Sequence, residues 1–175
     1  AGYRVHVARA AADADPARPL CCGRTFLSAG LVDEARAEAR RTLAALAPYV
    51  ERGVPVVGLE PSCLLTMRDE FLVMGLGDAA RRLAGQALLF EEFLAREHAA
   101  GRLSLPLQAL PERTALLHGH CHQKAFDAVR PIETVLKLVP GLEVKTIESS
   151  CCGMAGAFGY EAEHYEVSRK VGEER

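Results

Sequence analysis

Apolar residues recur along the chain with two different periods. Tyr3, Val5 and Val7 alternate with Arg4 and His6, which predicts a short strand. Residues 8–19 are rich in Ala, Asp and Pro and read as a loop. Leu31, Ala35, Ala39, Leu43 and Leu46 then follow a spacing near 3.6, predicting a helix from about Leu31 to Val50. Asp33 and Glu34 suit its first turn, and Gly53 stops it. Val54–Leu59 reads as a buried strand running directly into Glu60-Pro61-Ser62-Cys63. After a break at Gly75–Asp78, Leu83, Ala87, Phe90 and Leu94 form one apolar stripe. They predict a single core-facing helix from about Ala79 to Ala100, ended by Gly101.

Leu103–Pro111 is a connector, because its prolines oppose regular structure. Thr114–His118 reads as a strand ending at Gly119-His120-Cys121-His122, and a helix from about Gln123 to Leu138 follows. Leu142–Ile147 alternates as a further strand. It feeds Ser149-Ser150-Cys151-Cys152-Gly153, a glycine-rich loop and a last helix from about Tyr160. Short strands alternating with helices predict an α/β fold with mostly parallel sheets. The cysteines fall where strands end and helices begin, the edge at which such sheets bind ligands.

Cys21-Cys22-Gly23 and Cys151-Cys152-Gly153 lie 130 positions apart, each followed by glycine and then a helical pattern. With one residue gapped, Gly30 falls opposite Gly159 and Glu34 opposite Glu163. This predicts two tandem Rossmann-like repeats, residues 1–105 and 106–175. The counterpart of Cys121 in the first repeat would lie ahead of Ala1, and that of Cys63 in the second beyond Arg175. Each repeat is therefore expected to be truncated at one end, the chain being a piece of a larger polypeptide. The absence of an initiator Met fits that expectation.

Composition narrows the partners. With 175 residues, 49% hydrophobic and 25% charged, the chain can build its own core. A net charge of −2 offers no basic footprint for nucleic acid. No apolar run spans the roughly 20 residues a bilayer needs. Six cysteines, two pairs of them adjacent in sequence, fit a reducing compartment better than a secreted disulfide scaffold, so a cytoplasmic location is expected.

On a regular strand adjacent thiols point to opposite faces, so a Cys-Cys pair converges only at a bend. Gly23 and Gly153 allow the positive φ such a bend needs. Thiolate-rich ligation selects iron–sulfur clusters or Zn²⁺. The Cys-x₂₋₄-Cys pairs of mononuclear zinc sites are absent, which favours a cluster and leaves zinc as the alternative. The same absence argues against a thiol–disulfide enzyme.

Gly153–Gly159 is neither a Walker A nor a Gly-x-Gly-x-x-Gly loop, but its amides, Gly156 included, could hydrogen-bond cluster sulfurs. His118, His120 and His122, if extended, would face one way and Cys121 the other. They are metal or proton-relay candidates, with strand-end and helix-start residues as the plainer reading. His120 is the best of them; with His122 and Glu60 it is a candidate for orienting the thiols, a plain turn residue being the safer reading of Glu60. His164 reads as a packing or surface residue, and the charges from Arg36 to Arg41 as a solvated helix face. No residue is assigned a catalytic role.

Two further motifs accompany the Cys-Cys-Gly pairs, Gly-Leu-Glu-Pro-Ser-Cys at 58–63 and His-Gly-His-Cys-His-Gln-Lys at 118–124, and the second pair extends to Cys-Cys-Gly-Met-Ala-Gly at 151–156. Together they resemble the cysteine-rich CCG domain of iron–sulfur oxidoreductases. That family includes the iron–sulfur subunit of glycolate oxidase and subunits of anaerobic glycerol-3-phosphate dehydrogenase, of lactate utilisation and of heterodisulfide reductase. The resemblance is strongest to the C-terminal part of fused FAD-linked oxidase proteins of the D-lactate dehydrogenase type, and it covers nearly the whole chain.

It implies electron transfer from flavin, reduced by a 2-hydroxy acid, through an iron–sulfur cluster to an acceptor. The cluster would be 4Fe–4S or its non-cubane relative. Cys21, Cys22 and Cys63 would serve one centre, and Cys121, Cys151 and Cys152 the other. FAD would sit in a partner domain or subunit, and the isolated chain would turn over no substrate. Peripheral membrane association is compatible with this reading; nucleic acid is not. The chain departs from the fullest pattern at Cys63, where Leu64-Leu65-Thr66 leaves one cysteine of the usual Cys-x-x-Cys.

Overall fold

The computed structural model describes residues 2–10 and 18–174, so most of the loop expected at 8–19 lies outside the described residues. The fold is α/β and divides into two compact units, Ala1–Ser104 and Leu105–Arg175.

In the first unit α1 (Arg24–Ser28) and α2 (Val32–Val50) precede strand β1 (Val56–Gly58). Helices α3 (Pro61–Arg68), α4 (Glu70–Val73) and α5 (Gly77–Ala84) lead to β2 (Ala87–Leu89) and α6 (Phe90–Ala99). β1 and β2 pair in parallel, Val57 opposite Leu88. The apolar stripe of α2 buries Ala35, Ala39, Leu43 and Leu46 against Phe71, Met74, Ala80 and Leu83. Each large side chain among them contributes on the order of 2 kcal/mol. Gly58 is required at the end of β1, because a Cβ there would lie 2.8 Å from the Leu64 side chain. Its bare backbone lets α3 pack directly on the strand.

The single helix expected over Ala79–Ala100 is α5, β2 and α6 in succession. Gln86 and Ala87 leave the helix because a backbone ladder with β1 is available, beginning with Val56 N–H to Gln86 C=O at 3.0 Å. Leu83 and Ala87 are buried as the stripe predicts, whereas Phe90 is exposed. The chain re-enters helix at Leu89, whose N–H is capped by the Glu92 carboxylate.

The strand expected at Tyr3–Val7 does not form either. That segment pairs with neither β1 nor β2, and Val5 and Val7 face solvent. Side chains hold it instead: the Tyr3 ring packs edge-on to Phe93 at 5.2 Å, and its hydroxyl donates to Glu97 at 3.0 Å.

Buried Glu97 also accepts from both Arg102 Nε and Nη2 at 2.8 Å. The Arg102 guanidinium, assisted by the Tyr3 hydroxyl, lowers its carboxyl from an ordinary 4.5 to about 2. A depressed carboxyl stabilises the fold fully above its unfolded value and loses that contribution as pH falls through the folded one. We expect the acid limb of thermal stability to steepen between pH 4.5 and about 2, and Glu97→Gln to flatten it in a melting series.

In the second unit β3 (Thr114–Leu117) leads to α7 (Cys121–Ala125) and α8 (Arg130–Leu136). β4 (Glu143–Thr146) follows, then two 3₁₀ turns and α9 (Tyr165–Glu173). β3 and β4 pair in parallel, Ala115 opposite Val144. The helix expected over Gln123–Leu138 is broken between α7 and α8. Asp127 adopts φ 52°, and Pro131 sits at the start of α8, where its missing N–H costs nothing. The final helix starts at Tyr165, not Tyr160, behind turns at Phe158–Tyr160 and Ala162–His164. No helix among the described residues is long and apolar enough to cross a membrane.

Candidate metal centre

Both Cys-Cys-Gly turns have the same local build. Gly23 and Gly153 each adopt φ 80°, and each donates its N–H to the sulfur two residues back, Cys21 or Cys151, at 3.4 Å. Each glycine also lies against a helix backbone. A Cβ on Gly23 would fall 2.8 Å from the Ala35 carbonyl oxygen, and one on Gly153 only 2.1 Å from that of Ser168. Ala35 and Ser168 are both the fourth residue of their helices, α2 and α9.

This pairing replaces the alignment of Gly30 with Gly159. Gly30 has φ 76° and open space around it, whereas Gly159 is wedged against Ser168 and Met154 inside a 3₁₀ turn. Glu34 likewise lies in the first turn of α2, whereas Glu163 sits in the second 3₁₀ turn, ahead of α9.

In the second unit the turn meets the start of α7. The Sγ atoms of Cys121, Cys151 and Cys152 lie within 4.8 Å of one another. Cys121 and Cys152 are exposed and Cys151 is half-buried, so the sulfurs form an open-faced triangle. The Met154 N–H, with help from the Cys121 and Cys151 thiols, lowers the Cys152 pKa. Burial and the two neighbouring sulfurs push Cys121 the other way. The two sulfurs are thus shifted in opposite directions, the Met154 amide favouring negative charge on Cys152. Three converging soft donors with amides directed at them fit a thiolate-held metal or cluster.

The first unit is less closed. Cys63, in the first turn of α3, hydrogen-bonds Cys22 and lowers that thiol to about 6, while Cys22, burial and Glu60 push Cys63 up. Cys21, Cys22 and Cys63 do not all converge within 4.8 Å. Glu60 is the N-cap of α3 and accepts the Cys63 N–H. Burial opposes its ionisation, but the N–H groups of Cys63 and Ser62 outweigh it and hold the carboxyl below its ordinary value. All six cysteines are free thiols.

The histidines divide. His120 caps α7, its Nδ1 accepting the His122 N–H at 3.2 Å, and the two rings stack at 5.7 Å. Both therefore flank Cys121 without entering the thiol triangle. His164 stacks on Phe158 at 3.9 Å and lies 2.8 Å from Glu161, grouped with Glu163 on the surface. Gly156 adopts φ 70° on the exposed loop past Gly153, with nothing near its Cβ position.

Two anchoring side chains carry no warning in the motifs. Thr42 donates to the Cys21 carbonyl at 2.8 Å, and Arg41 donates to the Pro19 carbonyl at 2.6 Å. The run Arg36–Arg41 is thus not simply a solvated face: Glu38 is buried and ion-pairs with Arg18.

Known proteins resemble this sequence. The chain is 30% identical over 153 residues to one subunit of the anaerobic glycerol-3-phosphate dehydrogenase of Escherichia coli, covering 87% of this chain and 38% of that protein. It is 32% identical over 137 residues to D-2-hydroxyglutarate dehydrogenase of Pseudomonas putida, covering 77% of this chain and 12% of that one. The chain is related to oxidoreductases. The Escherichia coli D-2-hydroxyglutarate dehydrogenase gives a similar match, 28% over 141 residues and 13% of its length. In each case the chain spans well under half of the relative's length. No family model matches it. No solved structure matches it either.

Proposed function

We propose that this chain is the iron–sulfur electron-transfer part of an FAD-linked 2-hydroxy acid oxidoreductase, passing electrons from flavin to an acceptor. The observation that carries this reading is the thiol triangle of Cys121, Cys151 and Cys152 in a chain related to dehydrogenases. In this reading these three hold one centre of the CCG type, and Cys21, Cys22 and Cys63 contribute to a second. An iron–sulfur cluster held there would supply storage and relay of single electrons.

The chain's own residues bind and orient. Gly153 turns the backbone so that Cys151 and Cys152 converge, and the amides of Gly153 and Met154 stabilise negative charge on sulfur. Gly23 does the same for Cys21. In this reading the exposed loop at Gly156 also contributes to binding the cluster. His120 and Glu60 fix the helix starts that carry Cys121 and Cys63.

The two units are read as successive CCG repeats, and the flavin domain belongs to the remainder of the larger protein. A relative acting on D-2-hydroxyglutarate supports the 2-hydroxy acid class, to which D-lactate and glycolate also belong. Six free thiols favour the reducing cytoplasm.

The intact enzyme, purified without oxygen, is expected to contain iron and acid-labile sulfide, with visible absorption that bleaches on adding the 2-hydroxy acid. Zinc without sulfide would replace this reading with that of a structural or partner-docking module.

A further inference from the structure

Lys124 lies one helical turn beyond Cys121 on α7, on the same face of the helix. Its ammonium has three protons to donate, and three acceptors meet it. They are the Ser149 carbonyl at 2.9 Å, the Ser149 hydroxyl at 2.9 Å and the Ser150 carbonyl at 3.0 Å. Those two residues immediately precede Cys151. One side chain therefore joins the two segments that bring thiols to the triangle, α7 with Cys121 and the strand exit with Cys151 and Cys152. Lys124 is also half-buried, which strengthens a charge-assisted bond relative to one in open water.

The first unit uses a comparable device. Arg41 donates to the carbonyls of Arg18 and Pro19, just ahead of Cys21, although it comes from the helix after the pair instead of the one before. Both Cys-Cys-Gly turns are thus approached by a cation gripping the carbonyls on their N-terminal side.

We propose that Lys124 is a positioning residue of the second centre, fixing the separation of Cys121 from Cys151 and Cys152 and placing a fixed positive charge on the carbonyls that directly precede Cys151. The proposal rests on the thiol triangle being a metal centre. Two consequences follow from its chemistry. Outer-shell partners that orient ligands are worth about 10- to 100-fold in metal affinity. A positive charge beside an anionic centre favours the reduced form and so raises its reduction potential.

The test uses the whole chain with Co²⁺ as probe, read by thiolate-to-metal charge-transfer absorption, in a background where Cys21, Cys22 and Cys63 are serine. Lys124→Gln is expected to weaken Co²⁺ binding about 10- to 100-fold. In the intact enzyme loaded with iron and sulfide to equal occupancy, the same change lowers the midpoint potential of the second centre, and Lys124→Arg restores it. Ser149→Ala, which removes one of three acceptors, gives a smaller loss of Co²⁺ affinity and carries the test if Lys124→Gln does not fold. Unchanged affinity and potential in Lys124→Gln, or unchanged affinity in Ser149→Ala where only that variant folds, overturn the role of Lys124 alone. A parent protein that binds no Co²⁺ overturns it together with the metal centre on which it rests.

Discussion

Replacing Cys152 by serine removes metal binding from the second unit and leaves the fold in place. The side chain is exposed, so the substitution exchanges one small polar group for another in contact with water. Surface changes of that kind shift stability by no more than about 0.5 kcal/mol. In the proposed centre the sulfur is one of three donors, and it is the one whose pKa the Met154 N–H lowers. Its loss should therefore exceed the roughly 10- to 100-fold effect of an outer-shell change. Titration with Co²⁺ beside a urea melt separates the two quantities. A melt that collapses together with binding would make the metal a structural requirement of the unit.

Gly153→Ala is expected to do the opposite, damaging fold and centre together. The residue is buried at φ 80°, and its new methyl would stand 2.1 Å from the Ser168 carbonyl oxygen and 2.9 Å from the carbonyl carbon. Both are backbone atoms of α9, so no side-chain rotation relieves the overlap. Left-handed backbone costs a non-glycine residue about 1–2 kcal/mol, and overpacking adds about 1–3 kcal/mol. Moving α9 also breaks the Ser168 hydroxyl bond to the Gly153 carbonyl, now 2.9 Å. Gly23→Ala meets a looser contact, 2.8 Å to the Ala35 carbonyl oxygen, and should cost less. A denaturant series on both variants checks the order; equal stabilities would contradict the packing described for α9.

The long amphipathic helix α2 and the strand β4 were legible because each follows one period over its length, and β1 and β3 because each is a short apolar run ending at or just before a glycine. The Leu83/Ala87/Phe90/Leu94 stripe satisfied the helical period by coincidence. What divides it is the parallel ladder from β2 to β1, a contact between residues roughly 30 apart that no local pattern contains. Helices α3 and α4 are too short for a period to show. Pro131 was the available warning against a continuous helix over 123–138, since an interior proline removes a backbone donor.

At the site, the cysteines and their glycines could be read from the motifs, because a bend at Cys-Cys demands a residue tolerant of positive φ. Lys124 and Thr42 could not. Their partners are backbone carbonyls of distant segments, Ser149 and Ser150 for one and Cys21 for the other, and carbonyls leave no trace in residue type.

The central claim is that Cys121, Cys151 and Cys152 form one ligand set for iron. Anaerobic loading of the chain with ferrous iron and sulfide, followed by desalting and assay of bound iron and acid-labile sulfide, tests it directly. The parent should retain both, and a variant with all three residues changed to serine should lose the share held by the second unit. Equal iron and sulfide in the two proteins, or none in either, would contradict the claim.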